Sequence, residues 1–420
     1  MKLLLTAINA KYIHSNLAVY SLKAYAKEYQ QQIELAEFTI NQRSEYILSE
    51  IYKKKPDVLC FSCYIWNIGL VLEIAEEFHK ICPEVPIWVG GPEVSYEIES
   101  FLKKNLFITG VMVGEGEQIF KHLCECYVNQ KTNEITNIKG LAFLDSDGHM
   151  VCNEPEKPMD LNKIPFCYDD IEDFHNKIIY YESSRGCPFR CSYCLSSIDK
   201  ALRFRDLDLV KKELAFFIEK EVPQVKFVDR TFNCNHHHAM EIWRFIKEND
   251  RGITNFHFEI AADLLLDEEI DFLGTLRPGL IQLEIGVQTT NLKTIEEIHR
   301  SMNLKQLKSV VKSIKEKENI HQHLDLIAGL PFEDYDTFQK SFDEIYALKP
   351  EQLQLGFLKV LKGSYMFEHQ EEYQIVSESR PPYEVLKTKW LPYEKVLCVK
   401  QAEEMLEVYY NSRQYPMSIK

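Results

Sequence analysis

Arg185-Gly186-Cys187-Pro188-Phe189-Arg190-Cys191-Ser192-Tyr193-Cys194 is the stretch on which the reading of this chain turns. It follows an apolar strand pattern near 178–183 and precedes a helical pattern near 206–220, so three thiols within eight residues share one loop after a strand. There they can converge on one metal centre as thiolates. A structural zinc loop usually pairs two CxxC-like hooks, and no second hook follows at a matching distance. The nearest further donors are His236, His237 and His238, which follow the N-cap formers Asn233 and Asn235 and open an amphipathic helix. Capping or solvent-facing roles fit them better than ligation. Three cysteines without a fourth leave a site open, because an iron–sulfur cube needs four ligands and three thiolates leave one iron for a small molecule.

Downstream of the thiols, apolar strands are expected near 225–229, 256–260, 280–286, 322–328 and 352–357, with helices near 236–248, 267–276, 304–318 and 335–348. With the strand at 178–183 this makes six strand–helix units over 177–360, too few for a closed eight-unit barrel of about 250 residues. An open six-stranded (β/α)6 partial TIM barrel fits. Residues 361–420 form a C-terminal extension with Pro381-Pro382 and a helix near 395–411.

Upstream, residues 1–130 alternate the strand candidates Leu3–Ile8, Ile33–Phe38, Val58–Ser62, Ile87–Val89 and Gly110–Val113 with helical patterns at 17–29, 43–54, 67–81, 97–104 and 116–128. The fold class is therefore α/β, a doubly wound, five-stranded, Rossmann-like parallel sheet followed by the partial barrel, with ligands expected at the strands' carboxyl ends. Between them, 131–176 reads as a hairpin turning at Asp147-Gly148 and a linker punctuated by Pro155, Pro158 and Pro165.

The 12 cysteines need a compartment, and the N-terminus reads as a buried strand rather than a secretory signal. No run approaches the ~18 apolar residues of a membrane span. A cytoplasmic location with reduced thiols is expected, and membrane association is not. The formal net charge of −15 opposes binding to nucleic acid, since only short basic runs such as Lys53–Lys55 occur.

The CxxxCxxC spacing, with Tyr193 directly before the last cysteine and a partial barrel around it, resembles the radical S-adenosylmethionine superfamily. That resemblance implies a [4Fe-4S] cluster on Cys187, Cys191 and Cys194, whose fourth iron is chelated by S-adenosylmethionine, and release of a 5′-deoxyadenosyl radical on one-electron reduction. It also implies an electron donor such as flavodoxin or ferredoxin and an anaerobic setting. Other strand ends match. The second barrel strand ends at Asp229, where the family places polar groups for the methionyl amine. Glu284-Ile285-Gly286-Val287-Gln288-Thr289 resembles the GVQS segment of oxygen-independent coproporphyrinogen oxidases, implying Gln288 on the ribose, with Glu284 beside it. Asp325-Leu326-Ile327-Ala328-Gly329-Leu330-Pro331 resembles their DLIxGLP, implying Ile327 against adenine; Glu333 falls one place late for the broader acidic motif and carries no role over. Read singly, these alternating segments also describe ordinary buried parallel strands, and Glu259 or Glu284 an ordinary polar residue at a barrel mouth.

In the first domain, Ser62-Cys63-Tyr64, Gly90-Gly91-Pro92-Glu93 and Gly114-Glu115-Gly116-Glu117 follow strands three, four and five. They can be tight turns, or places where a large ligand approaches bare backbone and helix starts. The two-glycine step and the serine resemble cobalamin-binding domains, and the VGGPE and VGEGE segments resemble the N-terminal domains of cobalamin-dependent radical enzymes. This implies cobalamin contacts by Ser62, Tyr64, Gly90, Gly91, Gly114, Glu115 and Gly116. The DxHxxG ligand motif is absent: Tyr12 and Leu17 flank His14 at the Asp and Gly places, so helix-start packing fits His14 better than cobalt ligation. The resemblance implies a cobalamin-dependent methyltransferase acting on an unactivated carbon of an unidentified small-molecule or peptide substrate. The alternatives are a cobalamin-associated radical enzyme catalysing cyclisation, rearrangement or methylthiolation, and a non-catalytic metal-binding or redox-sensing module.

Overall fold

The computed structural model describes residues 1–168, 174, 176–198 and 201–414, and the chain divides into two compact units, Met1–Tyr180 and Tyr181–Lys420. In the first unit, strands β1 (Leu3–Asn9), β2 (Ile33–Thr39), β3 (Val58–Ser62), β4 (Ile87–Gly90) and β5 (Gly110–Met112) pair in parallel in the order β2-β1-β3-β4-β5. Side chains alternate across β1 and both faces are covered, so all seven of its residues are buried. Leu4 and Ile8 pack with Phe61, Ile74 and Phe78 on one face, and Leu3 and Leu5 with Val19, Trp88 and Phe120 on the other. The apolar stripes that supply these partners belong to α1 (Leu17–Tyr25), α2 (Ser44–Lys54), α3 (Ile68–Ile81), α4 (Ile98–Lys104) and α5 (Gly116–Val128). The strand order reverses direction between β1 and β3, which fixes the crevice beyond their carboxyl ends as the ligand position of this architecture.

The sheet has seven strands rather than five, because the hairpin expected to stand apart continues it. Strands β6 (Leu141–Leu144) and β7 (Met150–Cys152) add antiparallel to β5, with Val111 opposite Ala142. A three-residue β5 would otherwise leave an open edge, and the hairpin pairs it.

The strand β8 (Ile179–Tyr181), whose last residue opens the second unit, leads to a two-residue ribbon of β9 (Ser184–Arg185) and β10 (Arg203–Phe204), which closes the base of the thiol loop. Helices α6 (Leu207–Glu219), α7 (His236–Asn249), α8 (Asp267–Leu273), α9 (Leu292–Glu297), α10 (Leu304–Lys315) and α11 (Tyr335–Tyr346) alternate with β11 (Gln224–Phe227), β12 (Asn255–Ile260), β13 (Ile281–Gln288), β14 (His321–Ala328) and β15 (Gln352–Phe357). The sheet runs β8-β11-β12-β13-β14-β15, parallel from β11 onward and open at β8 and β15. Its strands alternate strictly: in β13, Ile281, Leu283, Ile285 and Val287 are buried, while Gln282, Glu284, Gly286 and Gln288 are half-buried on the other, inner face.

The extension adds α12 (Tyr365–Glu368), a β16 (Val376–Ser377) and β17 (Val385–Lys387) ribbon, and α13 (Tyr393–Met405). Val385 and Tyr373 join Leu330, Leu358 and Met366 in a core of their own beside β14 and β15. Asn411 then donates to the Leu353 carbonyl at 2.8 Å and accepts from its amide at 3.0 Å, pairing part of the open β15 edge with a side chain.

Candidate cofactor sites

Twelve free cysteines are present, and among them Cys187, Cys191 and Cys194 share one loop. Cys187 and Cys191 are buried and Cys194 is half-buried. Burial pushes the Cys187 thiol up, and the charges of Cys191 and Cys194 push it the same way, so the three sulfurs sense one another. Arg300, on the loop after α9, donates to Cys191 Sγ at 3.6 Å and to the Tyr193 hydroxyl at 3.1 Å, and bonds the Gly286 carbonyl of β13. A buried guanidinium beside a thiol cluster favours the thiolate form a metal requires. These donors fit three thiolate ligands to an iron–sulfur cluster, with one metal position left for a ligand other than cysteine.

The residues expected around S-adenosylmethionine divide. Tyr193 and Ile327 lie against the same apolar cluster as Leu330, Leu358 and Val360. Gln288 ends β13 at a register shift, with φ of 70°, and its buried Oε1 has no hydrogen-bond partner. A strained, orphaned acceptor at a strand end is a group waiting for a donor. Asp229 is fully buried and accepts from the Ser183 amide (3.0 Å), Ser183 Oγ (2.7 Å) and Ser184 Oγ (2.5 Å). Burial raises it to about 6 despite those bonds. Both of its oxygens thus serve the chain that leads into the thiol loop.

His238 corrects the expectation of a solvent-facing or capping histidine. Its backbone amide is capped by Asn235 at 3.1 Å, but its ring is buried and Nε2 lies 3.1 Å from Ser183 Oγ, extending the Asp229 network. Burial lowers it to about 4, so the ring is neutral. His236 Nδ1 instead pairs with Glu269 at 3.0 Å.

Glu284 faces the barrel's inner side, where Lys226 Nζ and His257 Nε2 each lie 2.9 Å from its Oε2. Burial alone would raise its pKa, but the His257 bond and Lys226 charge outweigh this and bring it down to about 2. Glu259, next to it across the register, is raised to about 7 by burial and by the Glu284 charge. Neither Lys226, Arg300 nor the seryl partners of Asp229 belonged to the sequence motifs. The signal that could have found the inner-face set was a polar residue at every second place in otherwise apolar strands.

In the first unit the expected ligand loops all sit at the carboxyl ends of β3, β4 and β5. Ser62 Oγ accepts from Asn16 at 3.3 Å, and Tyr64 stacks on Trp66 with centroids 4.4 Å apart. Gly91 has φ of 116°, and a Cβ there would meet the Cys63 carbonyl at 2.4 Å, so this glycine brings two ligand loops together. Gly114, with φ of 87°, has nothing within 4 Å of a Cβ position and leaves its backbone open. Gly90 and Gly116 pack against Met112 and Leu22, and Glu115 accepts from the Met159 amide at 3.0 Å. His14 Nδ1 lies 2.7 Å from the Tyr180 hydroxyl. An open glycine backbone at the carboxyl end of β5, at the same end of the sheet as the loops after β3 and β4, fits a large planar cofactor. A groove of about 650 Å³ lined by Lys2, Ile33, Glu34 and Lys177 is separate from all these loops.

Residues 3–124 match the B12 binding domain, residues 181–345 the radical SAM superfamily, and residues 371–420 a family of proteins of unknown function, DUF4080. The chain is 26% identical over 318 residues to the uncharacterized methyltransferase PH0819 of Pyrococcus horikoshii, covering 71% of this chain and 68% of that one. It is 23% identical to the cobalamin-dependent radical SAM methyltransferase TokK of Streptomyces tokunonensis over 68% of this chain, yet spans only 44% of TokK. The fold is shared with the radical S-adenosylmethionine methyltransferase TsrM of Kitasatospora setae, solved with tryptophan and a SAM analog, at a TM-score of 0.71 and 17% identity over 97% of this chain and 83% of TsrM. Among the described residues no helix is long and apolar enough to cross a membrane.

Proposed function

Since this chain belongs to the radical S-adenosylmethionine superfamily and carries a B12 binding domain, we propose that it is a cobalamin-dependent methyltransferase acting on an unactivated carbon of a small-molecule or peptide substrate. Its cofactors are a [4Fe-4S] cluster, S-adenosylmethionine and cobalamin. Together these supply a carbon-centred radical and a methyl carrier; the protein binds and orients them and keeps water and oxygen out.

Cys187, Cys191 and Cys194 hold the cluster, with Arg300 fixing Cys191 and Tyr193. Gln288 Oε1 accepts from the ribose of S-adenosylmethionine, while Tyr193 and Ile327 supply apolar surface. Asp229 acts by anchoring Ser183 and Ser184 rather than by facing the ligand. Glu284 serves the inner face, through Lys226 and His257. Cobalamin is received by Ser62, Tyr64, Gly90, Gly91, Gly114, Glu115 and Gly116, with His14 held by Tyr180 instead of cobalt. A reducing, anoxic cytoplasm and a flavodoxin- or ferredoxin-type electron donor complete the reading.

The observation that carries it is the coincidence of three thiols, a buried guanidinium on one of them and an orphaned strand-end acceptor within one domain that matches the superfamily. Anaerobic reconstitution should give four irons and four labile sulfides per chain, lost in Cys187→Ala, Cys191→Ala and Cys194→Ala together with reductive cleavage of S-adenosylmethionine. Full cleavage in all three variants would refute the cluster assignment. Methyl-labelled S-adenosylmethionine should deliver label to cobalamin and then to product; label found in methionine alone would remove methyl transfer.

A further inference from the structure

The inner face of β13 and β14 carries a second group of ligating atoms that the radical chemistry does not use. Glu284 stands opposite His323 in the register, and Asp325 follows His323 by two residues on the same face of β14. One ligand atom from each of these three side chains lies within 4.8 Å of the others. His323 Nε2 is 3.1 Å from Asp325 Oδ1, an ion-pair distance, but off the line of a hydrogen bond, and neither buried atom has a hydrogen-bond partner elsewhere. His257 Nε2 likewise lies 2.9 Å from Glu284 Oε2, close enough to pair with its charge but off the line of a hydrogen bond, and has no other partner. His323 is only 7% exposed, so water does not satisfy it.

A buried nitrogen without an aligned hydrogen bond is costly, and three ligand-type atoms crowded within ion-pair distance of one another can turn their lone pairs to a common centre. Lys226 and His257 both engage Oε2 of Glu284, so its Oε1 remains for a further partner. Lys226 supplies the ammonium paired with Glu284, while Asp325 is paired with the His323 ring alone, which leaves room for added positive charge when that ring is neutral.

We propose that Glu284, His323 and Asp325 form a binding site for one divalent transition-metal ion, separate from the cysteine cluster and from cobalamin. One imidazole and two carboxylates are a borderline nitrogen and oxygen set, which suits Zn²⁺ or Mn²⁺ and disfavours the soft ions that thiolates select. His257 holds Glu284 in orientation, the part that an outer partner plays for a metal-binding carboxylate. The ion joins β13 to β14 and completes the hydrogen-bonding capacity of the inner face. The proposal does not depend on which substrate is methylated.

Full-length protein reconstituted anaerobically with its cluster, so that the thiols are occupied, is dialysed against Zn²⁺ or, separately, Mn²⁺ and analysed by plasma emission. One such ion per chain is expected beyond the four irons and the cobalt. His323→Ala and Asp325→Asn should each weaken its retention by about 100-fold or more, whereas His321→Ala, on the same inner face but outside the set, should retain it. Manganese bound in the native protein should give an immobilised electron paramagnetic resonance signal that Glu284→Gln broadens or abolishes. No second metal in the native protein, or equal retention in His323→Ala with its fold verified by circular dichroism, overturns the proposal. So does a fall in S-adenosylmethionine affinity in these variants with no metal found, which would assign the three side chains to that ligand.

Discussion

The two sheets of this protein are built on the same parallel strand–helix rule and bury opposite kinds of side chain. In β1, LLLTAIN, every residue is buried between two helical layers. In β13, IQLEIGVQ, buried and half-buried residues alternate, and β14, HQHLDLIA, places His323 and Asp325 where a closed core would place branched aliphatics. A sheet covered on both faces is held by transfer of apolar surface out of water. A sheet covered on one face is held there by the same term, and on its inner face by charge and hydrogen bonds. The first kind of face is sensitive to volume, the second to the identity of partners.

Removing volume is therefore the harshest test of the contrast. Phe61 in β3 is 2% exposed within the first unit's core, and Phe61→Ala should cost about 3–5 kcal/mol, while Gln282→Ala on the inner face of β13 should cost less than about 1 kcal/mol. Denaturant midpoints of the two variants measure this. Comparable losses would mean that the inner face is packed like a core.

Next comes backbone. Gly91→Ala forces a Cβ into the Cys63 carbonyl at a φ that only glycine adopts readily, and should cost about 3 kcal/mol and abolish cobalamin binding followed by visible absorbance. Gly114→Ala meets no atom and should cost only the conformational term, about 1–2 kcal/mol. If Gly114→Ala also abolishes binding, the open backbone at Gly114 is a contact surface for the ligand.

The same contrast explains what the sequence could disclose. The continuous apolar runs of β1, β3 and β4 make two-faced burial readable, and the CxxxCxxC spacing makes the thiol loop readable, because both are local patterns. The hairpin at 141–152 was visible as a hairpin, but its attachment to β5 was not, since edge pairing is decided by which edge remains open. Arg300 lies 109 residues from Cys191, and the Asp229–Ser183–His238 chain joins three elements. No spacing encodes such contacts. The inner-face set lay between the two cases: Lys226, His257, Glu284 and His323 each interrupt an apolar strand with period two, and only the register shows that they meet.

Partner identity is probed more gently by charge. Lys226→Met leaves Glu284 with His257 alone and should cost about 1–2 kcal/mol at pH 7, the low end for a buried pair because a quarter of each side chain is still exposed. Glu284 is held below its ordinary 4.5, so the pair's contribution is complete above that pH and is lost as the pH falls toward 2. Stability curves of native and variant protein should thus converge between pH 4.5 and 2. A gap that persists at the acid end would show that Lys226 acts by packing its methylenes.

Glu333 is the counter-example that isolates the cause. It is only 1% exposed, but its carboxyl meets hydroxyls, Thr289 Oγ1 at 2.5 Å and Ser341 Oγ at 3.2 Å, and its Oε2 has no hydrogen-bond partner. Burial raises it to about 7 in spite of those bonds, whereas Glu284 with an ammonium and an imidazole falls to about 2. Between pH 4.5 and 7 the folded chain keeps a proton on Glu333 that the unfolded chain has lost, so its contribution to stability declines as the pH rises through that window and is level above it. Glu333→Gln presents a permanently neutral group of the same shape. The variant should lie within about 1 kcal/mol of the native protein at pH 5 and should decline less steeply toward pH 7 than the native protein, keeping only the share of Glu259 and Asp229. A variant that keeps the full decline would place the titrating group elsewhere, with Glu259 on the inner face as the next to be replaced.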